Sequence, residues 1–251
     1  MKGGVSDRGQ YRFSNYINES KPMTYAIDFP GVTTLPVAES TQTFPVGRIY
    51  CVGRNYAEHA KEMGHDPDRE PPFFFMKPPD AIVMSGATIP YPTITKDLHH
   101  EIEMTVAIGK GGKDIPVEKA LDHVFGYGVG LDMTRRDVQG EAKKMGRPWE
   151  MGKAFDDSAP CTALKTVAMV GHPAKGAIWL KVNGVVKQKG DLSELIWNIP
   201  ETISYLSKMI TLRPGDLIMS GTPAGVGPVQ KGDVLEGFVE GVGSLSVTYA
   251  K

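Results

Sequence analysis

The chain has 251 residues and carries 28 lysines and arginines against 29 aspartates and glutamates, a net charge of −1. A near-neutral chain gives no electrostatic reason to bind nucleic acid or an anionic membrane, and no segment approaches the ~18 apolar residues of a membrane helix. The two cysteines, Cys51 and Cys161, make no disulfide framework at this length, and the first twenty residues hold no apolar secretion core, so a cytoplasmic protein acting on small molecules or other subunits is expected.

Residues 1–45 alternate weakly in polarity and are interrupted by Pro30, Gly31 and Pro36, which predicts an N-terminal arm of short strands. A boundary near Pro45 separates this arm from a domain spanning 46–251. There "RIYCVG" (48–53) reads as a strand and "RNYAEHAKEM" as a helix stopping at Gly64, with His59 and Glu62 three apart on one face. The proline-rich, charged "HDPDREPP" (65–72) predicts a surface loop suited to act as a lid over a site.

After "FFFMK" comes "EIEMTVAIG" (101–109), whose alternation and β-branched end predict a strand. "GKGGKDIP" is expected to turn rather than cradle phosphate, since it lacks the Gly-Lys-Ser/Thr spacing. "VEKALDHVFG" (117–126) reads as an amphipathic helix and "YGVGLDM" (127–133) as a strand. Downstream, Asn183-Gly184 marks a two-residue hairpin turn, "IPETISYLSKMI" a helix with Pro200 at its start, and the C-terminal stretch strands and turns. The sum is an α+β, strand-rich fold with few helices, not a regular βαβ series.

The stretch "DLHHEIEM" (97–104) concentrates charge where a strand begins. On a strand over 101–108, Glu101 and Glu103 would project to one face. Either that face is solvated, or the carboxylates converge and need a proton or a cation between them. Asp132, closing "YGVGLD", supplies a third oxygen ligand; such a set favours Mg²⁺ or Mn²⁺, with Ca²⁺ a further candidate, over Zn²⁺. The His59–Glu62 pair suits general-base chemistry, the carboxylate orienting the imidazole, though the same spacing also serves as a surface pair. Lys153 in "EMGKAFDD" reads equally as a solvated charge. Cys161 and the histidines His99, His100 and His123 are read as structural or hydrogen-bonding groups, His100 being the one adjacent to the acidic pair.

In order and spacing, "GRNYAEHAKEMG", "FFFMKP", "HHEIE", "GYGVGLDMTRRDVQ", "GKAFD", "VNG" and "GDLIMSGTPAGVGPV" resemble the fumarylacetoacetate hydrolase family over residues 46–248. Within it the chain is most similar to the fumarylpyruvate hydrolases of gentisate breakdown. The resemblance implies a mixed β-sandwich roll with a few peripheral helices, a homodimer, and metal-dependent hydrolysis of a carbon–carbon bond in a β-diketo acid. Decarboxylation or isomerisation of oxaloacetate or a related 2-oxo diacid is the alternative inside the family, and a non-catalytic ligand-binding scaffold the alternative outside it.

Residue by residue, the resemblance implies that Glu101, Glu103 and Asp132 are ligands for Mg²⁺ or Mn²⁺. It implies further that His59 and Glu62 activate water, that Lys153 stands near substrate oxygens, and that Arg136, Gln139, Thr222 and Lys77 contact substrate. One departure, "KPPDAI" where many members carry K-P-S-S, bears on substrate contacts rather than on the metal.

Overall fold

Eight strands form the central sheet: seven run in the order Phe73–Lys77, Arg48–Gly53, Asp216–Met219, Ile102–Ile108, Val124–Leu131, Ala159–Cys161 and Ile82–Met84, and the eighth, Lys165–Thr166, pairs Val124–Leu131. The computed structural model describes residues 25–62 and 70–251. The first 24 residues of the predicted arm, the helix stop at Gly64 and most of the predicted lid lie outside the described residues. Tyr25 and Phe29, whose rings stack at 4.6 Å, belong to a unit ending at Gly31. The sheets belong to the second unit, Val32–Lys251.

Alternation along the strands decides what covers each face of the sheet. In Arg48–Gly53, Tyr50 and Val52 point into one cluster while Ile49 and Cys51 point into the other. The first cluster is closed by a five-stranded sheet running Val185–Asp191, Ala177–Val182, Val234–Val239, Gly243–Tyr249 and Thr88–Ile89, together with Ile203 and Leu206 of the Ile199–Met209 helix. The second is closed by Leu35 and Phe44 of the Thr34–Pro36 and Thr43–Pro45 hairpin. With both faces covered, every residue of Ile102–Ile108 is buried. The strand-rich expectation holds. Both cysteines are buried and free.

Local signals are realised where the chemistry is strong. Asn183 and Gly184 both take positive φ, 51° and 79°, as a primed two-residue turn requires. Asn198 and Glu201 form a capping box at the Ile199–Met209 helix. Among the described residues no helix is long and apolar enough to cross a membrane.

The predicted helix over 117–126 is corrected: Val117–His123 is a 3-10 helix and Val124 already begins the next strand. The His123 carbonyl accepts from the backbone N–H groups of Gly109 and Lys110, and its ring Nδ1–H donates to the Lys110 carbonyl at 2.8 Å. These bonds draw residues 124–126 into pairing with the end of Ile102–Ile108.

One topological feature positions the acidic residues. A three-stranded sheet, Thr134–Arg135, Leu98–His100 and Gly227–Val229, adjoins the central sheet, and three chain segments cross between the two. The crossings fall at Glu101, between Leu98–His100 and Ile102–Ile108; at Asp132 and Met133, between Val124–Leu131 and Thr134–Arg135; and at 220–226, between Asp216–Met219 and Gly227–Val229.

Candidate active site

At each crossing the ladder of one sheet stops before that of the next begins, so backbone and side-chain polar groups turn to other partners. Asp132 N donates to the Glu101 carbonyl at 2.9 Å, and Ser220 N to the Met104 carbonyl at 3.1 Å, tying the crossings to one another. Glu101 and Glu103 converge for a different reason from the one the sequence suggested. Glu101 is not on the strand but in the break before it, and Glu103 is its second residue. One carboxylate oxygen each from Glu101, Glu103 and Asp132 lies within 4.8 Å of the others, and all three residues are buried.

The charges around them are unevenly shared. Lys153, in the short Glu150–Lys153 helix, directs its three N–H groups to Glu101 Oε2 at 2.8 Å, Asp132 Oδ2 at 2.6 Å and Thr134 Oγ1 at 2.6 Å. Arg136 donates from Nη2 to Glu101 Oε1 and from Nη1 to Gln139 Oε1 at 2.7 Å. Burial opposes ionisation of Glu101, but Lys153 and Arg136 outweigh it and hold its carboxyl well below the usual range.

Glu103 differs. It is 1% exposed, accepts from Gly221 N at 2.7 Å, and among the described residues has no lysine, arginine or histidine within 4.0 Å. Burial, then the nearby Asp132 and Glu101 carboxylates, push it well above the usual range. Asp132 Oδ1, with Lys77 Nζ at 2.9 Å, accepts no hydrogen bond of good geometry. A buried acid with no cation of its own, beside a carboxylate oxygen engaged only by the ion pair with Lys77, is a donor set that suits a hard divalent ion.

The remaining expected residues are distributed as follows. His59, buried on the Ala57–Glu62 helix, places Nδ1 3.3 Å from Glu62 Oε2, and Glu62 accepts from Gly225 N at 3.1 Å. His59, Glu101, Glu103, Arg136, Gln139, Lys153 and Thr222 line a single cleft enclosing about 420 Å³ of space open to solvent. Lys77 does not line it: wholly buried, its ammonium lies against Asp132 and donates to the carbonyls of Met133 and Lys153. His99, His100 and His123 all make hydrogen bonds, as expected.

Two contributors escaped the sequence reading. Thr134 is the neutral acceptor for Lys153. Gln188, fully buried in the Val185–Asp191 strand, receives His100 Nδ1–H at 2.9 Å and Ile102 N–H at 3.1 Å on its carbonyl, and its amide donates to Thr222 Oγ1 and the Pro223 carbonyl, each at 2.8 Å. It clamps the segment bearing Glu101 to the loop bearing Thr222. A lone glutamine in "VVKQKG" carries no local signal of that role.

Gly221 shows how closely the crossings are packed. Its φ is +99°, and a Cβ there would lie 2.5 Å from Asn55 Cβ. Gly221→Ala is expected to lower stability by roughly 2–4 kcal/mol in denaturant unfolding, through strain and overpacking together. An unchanged midpoint would show that the contact relaxes freely.

The strand switches gather three buried carboxylates, two of which share a cleft with His59, and this arrangement agrees with the family that the sequence comparison identifies. The chain belongs to the fumarylacetoacetate hydrolases: the family's sequence profile, described as the fumarylacetoacetate (FAA) hydrolase C-terminal region, matches residues 48–249. The fumarylpyruvate hydrolase of Pseudomonas aeruginosa, solved in complex with Mn²⁺ and pyruvate, superposes with a TM-score of 0.88 at 54% identity, over 90% of this chain and 99% of that one. The fold is therefore of the fumarylacetoacetate hydrolase type. The mitochondrial oxaloacetate tautomerase of Mus musculus is 47% identical over 197 residues, covering 78% of this chain and 89% of that protein. Its Homo sapiens counterpart is 45% identical over 203 residues, covering 81% and 91%.

Proposed function

We propose that this protein hydrolyses a carbon–carbon bond in a β-diketo acid, fumarylpyruvate or a close acylpyruvate, to fumarate (or another acid) and pyruvate, with Mg²⁺ or Mn²⁺ held by Glu101, Glu103 and Asp132. The observation that carries this reading is a cleft lined by Glu101 and Glu103 of that carboxylate triad together with His59, whose Nδ1 faces Glu62. Likeness to a fumarylpyruvate hydrolase over nearly its whole length adds support.

When bound, the metal would supply Lewis-acid stabilisation of negative charge on the 2-oxo oxygen. The chain's own residues do the rest. Glu62 receives the Nδ1–H of His59, which leaves Nε2 as the base that takes a proton from water. The water oxygen bonds to the far carbonyl carbon of the diketone. That carbon then parts from the methylene carbon, the electron pair passes to the pyruvyl fragment as its enolate, and return of the proton held by His59 to the methylene carbon completes pyruvate.

Gln139 has its carbonyl fixed by Arg136, so its amide N–H is the donor available to the oxyanion. Lys153 has all three donors occupied; the bond to neutral Thr134 is the one most readily exchanged for a substrate oxygen.

The second reading, tautomerisation or decarboxylation of oxaloacetate, is favoured by the resemblance to the mammalian tautomerases. A base held for water attack favours the first. An ultraviolet assay on fumarylpyruvate, acetylpyruvate and oxaloacetate is expected to show metal-dependent loss of the diketo acids. That loss should be abolished by chelation and restored by Mn²⁺ or Mg²⁺. Turnover confined to oxaloacetate would replace the hydrolase reading with the second, and full activity after chelation would remove the metal from either.

A further inference from the structure

The Arg136–Lys144 helix presents Arg136, Gln139 and Lys143 at spacings of three and four, which places them on one face. All three line the cleft, although only the first two have partners in the carboxylate machinery described above. Lys143 lies over the Trp149 ring, 6.0 Å from its centroid. A second cation outside that machinery, Arg54, also lines the cleft and lies 5.0 Å from the centroid of Phe73. Phe73 and Trp149 meet edge to face at 5.4 Å, so the two cations flank one aromatic pair.

A row of aromatic rings runs from this group toward Lys153, the partner of the carboxylates. Lys153 Nζ sits 4.8 Å from the Phe75 ring centroid, Phe75 lies 5.9 Å from Trp149, and Trp149 adjoins Phe73. The cleft thus holds Arg54 and Lys143 beside this row of rings in addition to the carboxylates Glu101 and Glu103.

Among the described residues neither cation has an ion pair within 4.0 Å. Burial lowers the pKa of Lys143, and repulsion from Arg54 and then Arg136 lowers it further; Arg136 is paired with Glu101, and Glu70 is the acidic group that acts on Arg54. The backbone at Arg54 is left-handed, φ 54°, a conformation that costs a non-glycine residue about 1 kcal/mol or more and recurs at binding sites. It occupies the position just after the Arg48–Gly53 strand ends, where Gly53 has no room for a side chain against the Phe73 ring.

We propose that Arg54 and Lys143, flanking the Phe73–Trp149 pair, form a second anion subsite that receives the far carboxylate of a dianionic substrate. The proposal rests on the reading of this cleft as a diketo-acid site and names the substrate class within it: an acylpyruvate whose acyl tail itself ends in a carboxylate. Guanidinium and ammonium groups beside an aromatic face hold such a carboxylate by charge-assisted hydrogen bonds while the ring faces pack the flat unsaturated tail.

The test compares fumarylpyruvate, with a carboxylate at each end, and acetylpyruvate, with one, in wild-type protein and in the Arg54→Met/Lys143→Met double variant. The ratio of the two kcat/KM values is expected to fall roughly 10- to 100-fold in the variant, the loss of one or two charged hydrogen bonds. An unchanged ratio would overturn the subsite. A general structural injury lowers both substrates together and leaves the ratio where it was. Calorimetric binding of 2-oxoadipate against 2-oxohexanoate to Mn²⁺-loaded protein decides the same point without turnover. The variant should lose the wild-type preference for the diacid; a preference equal in both proteins refutes the assignment. If neither diketo acid is turned over by wild type, the hydrolase reading fails while the binding ratio still judges the subsite.

Discussion

Glu101→Ala is expected to lose stoichiometric metal and turnover together, the rate falling by roughly 10²–10³-fold or more, since Lewis-acid stabilisation is worth several kcal/mol. Metal analysis after exhaustive dialysis, beside a circular dichroism spectrum, checks this. Glu101 meets both Lys153 and Arg136, so its removal also leaves two cations facing the remaining ligands, which further disfavours a divalent ion. Asp132 keeps Lys77 and Lys153 in the variant, and the fold should survive. Stoichiometric metal retained in a folded Glu101→Ala protein would take Glu101 out of the ligand set.

His59→Ala should separate the two functions. Its carboxylate triad is untouched, so metal content should match wild type while kcat falls by roughly 10²–10⁴-fold, the usual worth of a positioned general base. Near-normal hydrolysis would dismiss His59 as the base. Loss of metal in this variant would mean that the imidazole, not the three carboxylates alone, governs the site's charge.

What the sequence made legible was whatever rests on a few neighbouring residues. The Asn183-Gly184 turn, the Asn198 cap and the Arg48–Gly53 strand follow from local backbone chemistry, and all appear. The helix expected over 117–126 failed because pairing of His123 with Gly109 and Lys110 overrode a local helical pattern. Glu101 and Glu103 were singled out for a shared strand face, yet they meet because the chain leaves one sheet and enters another between His100 and Ile102. A sheet switch is set by partners more than a hundred residues away, Gly227–Val229 and Asp216–Met219, and leaves no periodic trace. Gln188 was invisible for the same reason, since all four of its bonds are to distant residues. Lys143 was within reach, because its spacing from Arg136 and Gln139 is helical.

The crossings between sheets also divide the labour of the cleft. The three carboxylates hang from backbone pinned at the rigid ends of paired strands, whereas Arg54, Lys143 and Trp149 come from a strand exit, a helix's last turn and a helix cap. Under the proposed function, exchanging Arg54, Lys143 or Trp149 would alter which acids are admitted while the carboxylates stay put. A lineage built on this scaffold is thereby free to diversify its diet without reinventing its chemistry.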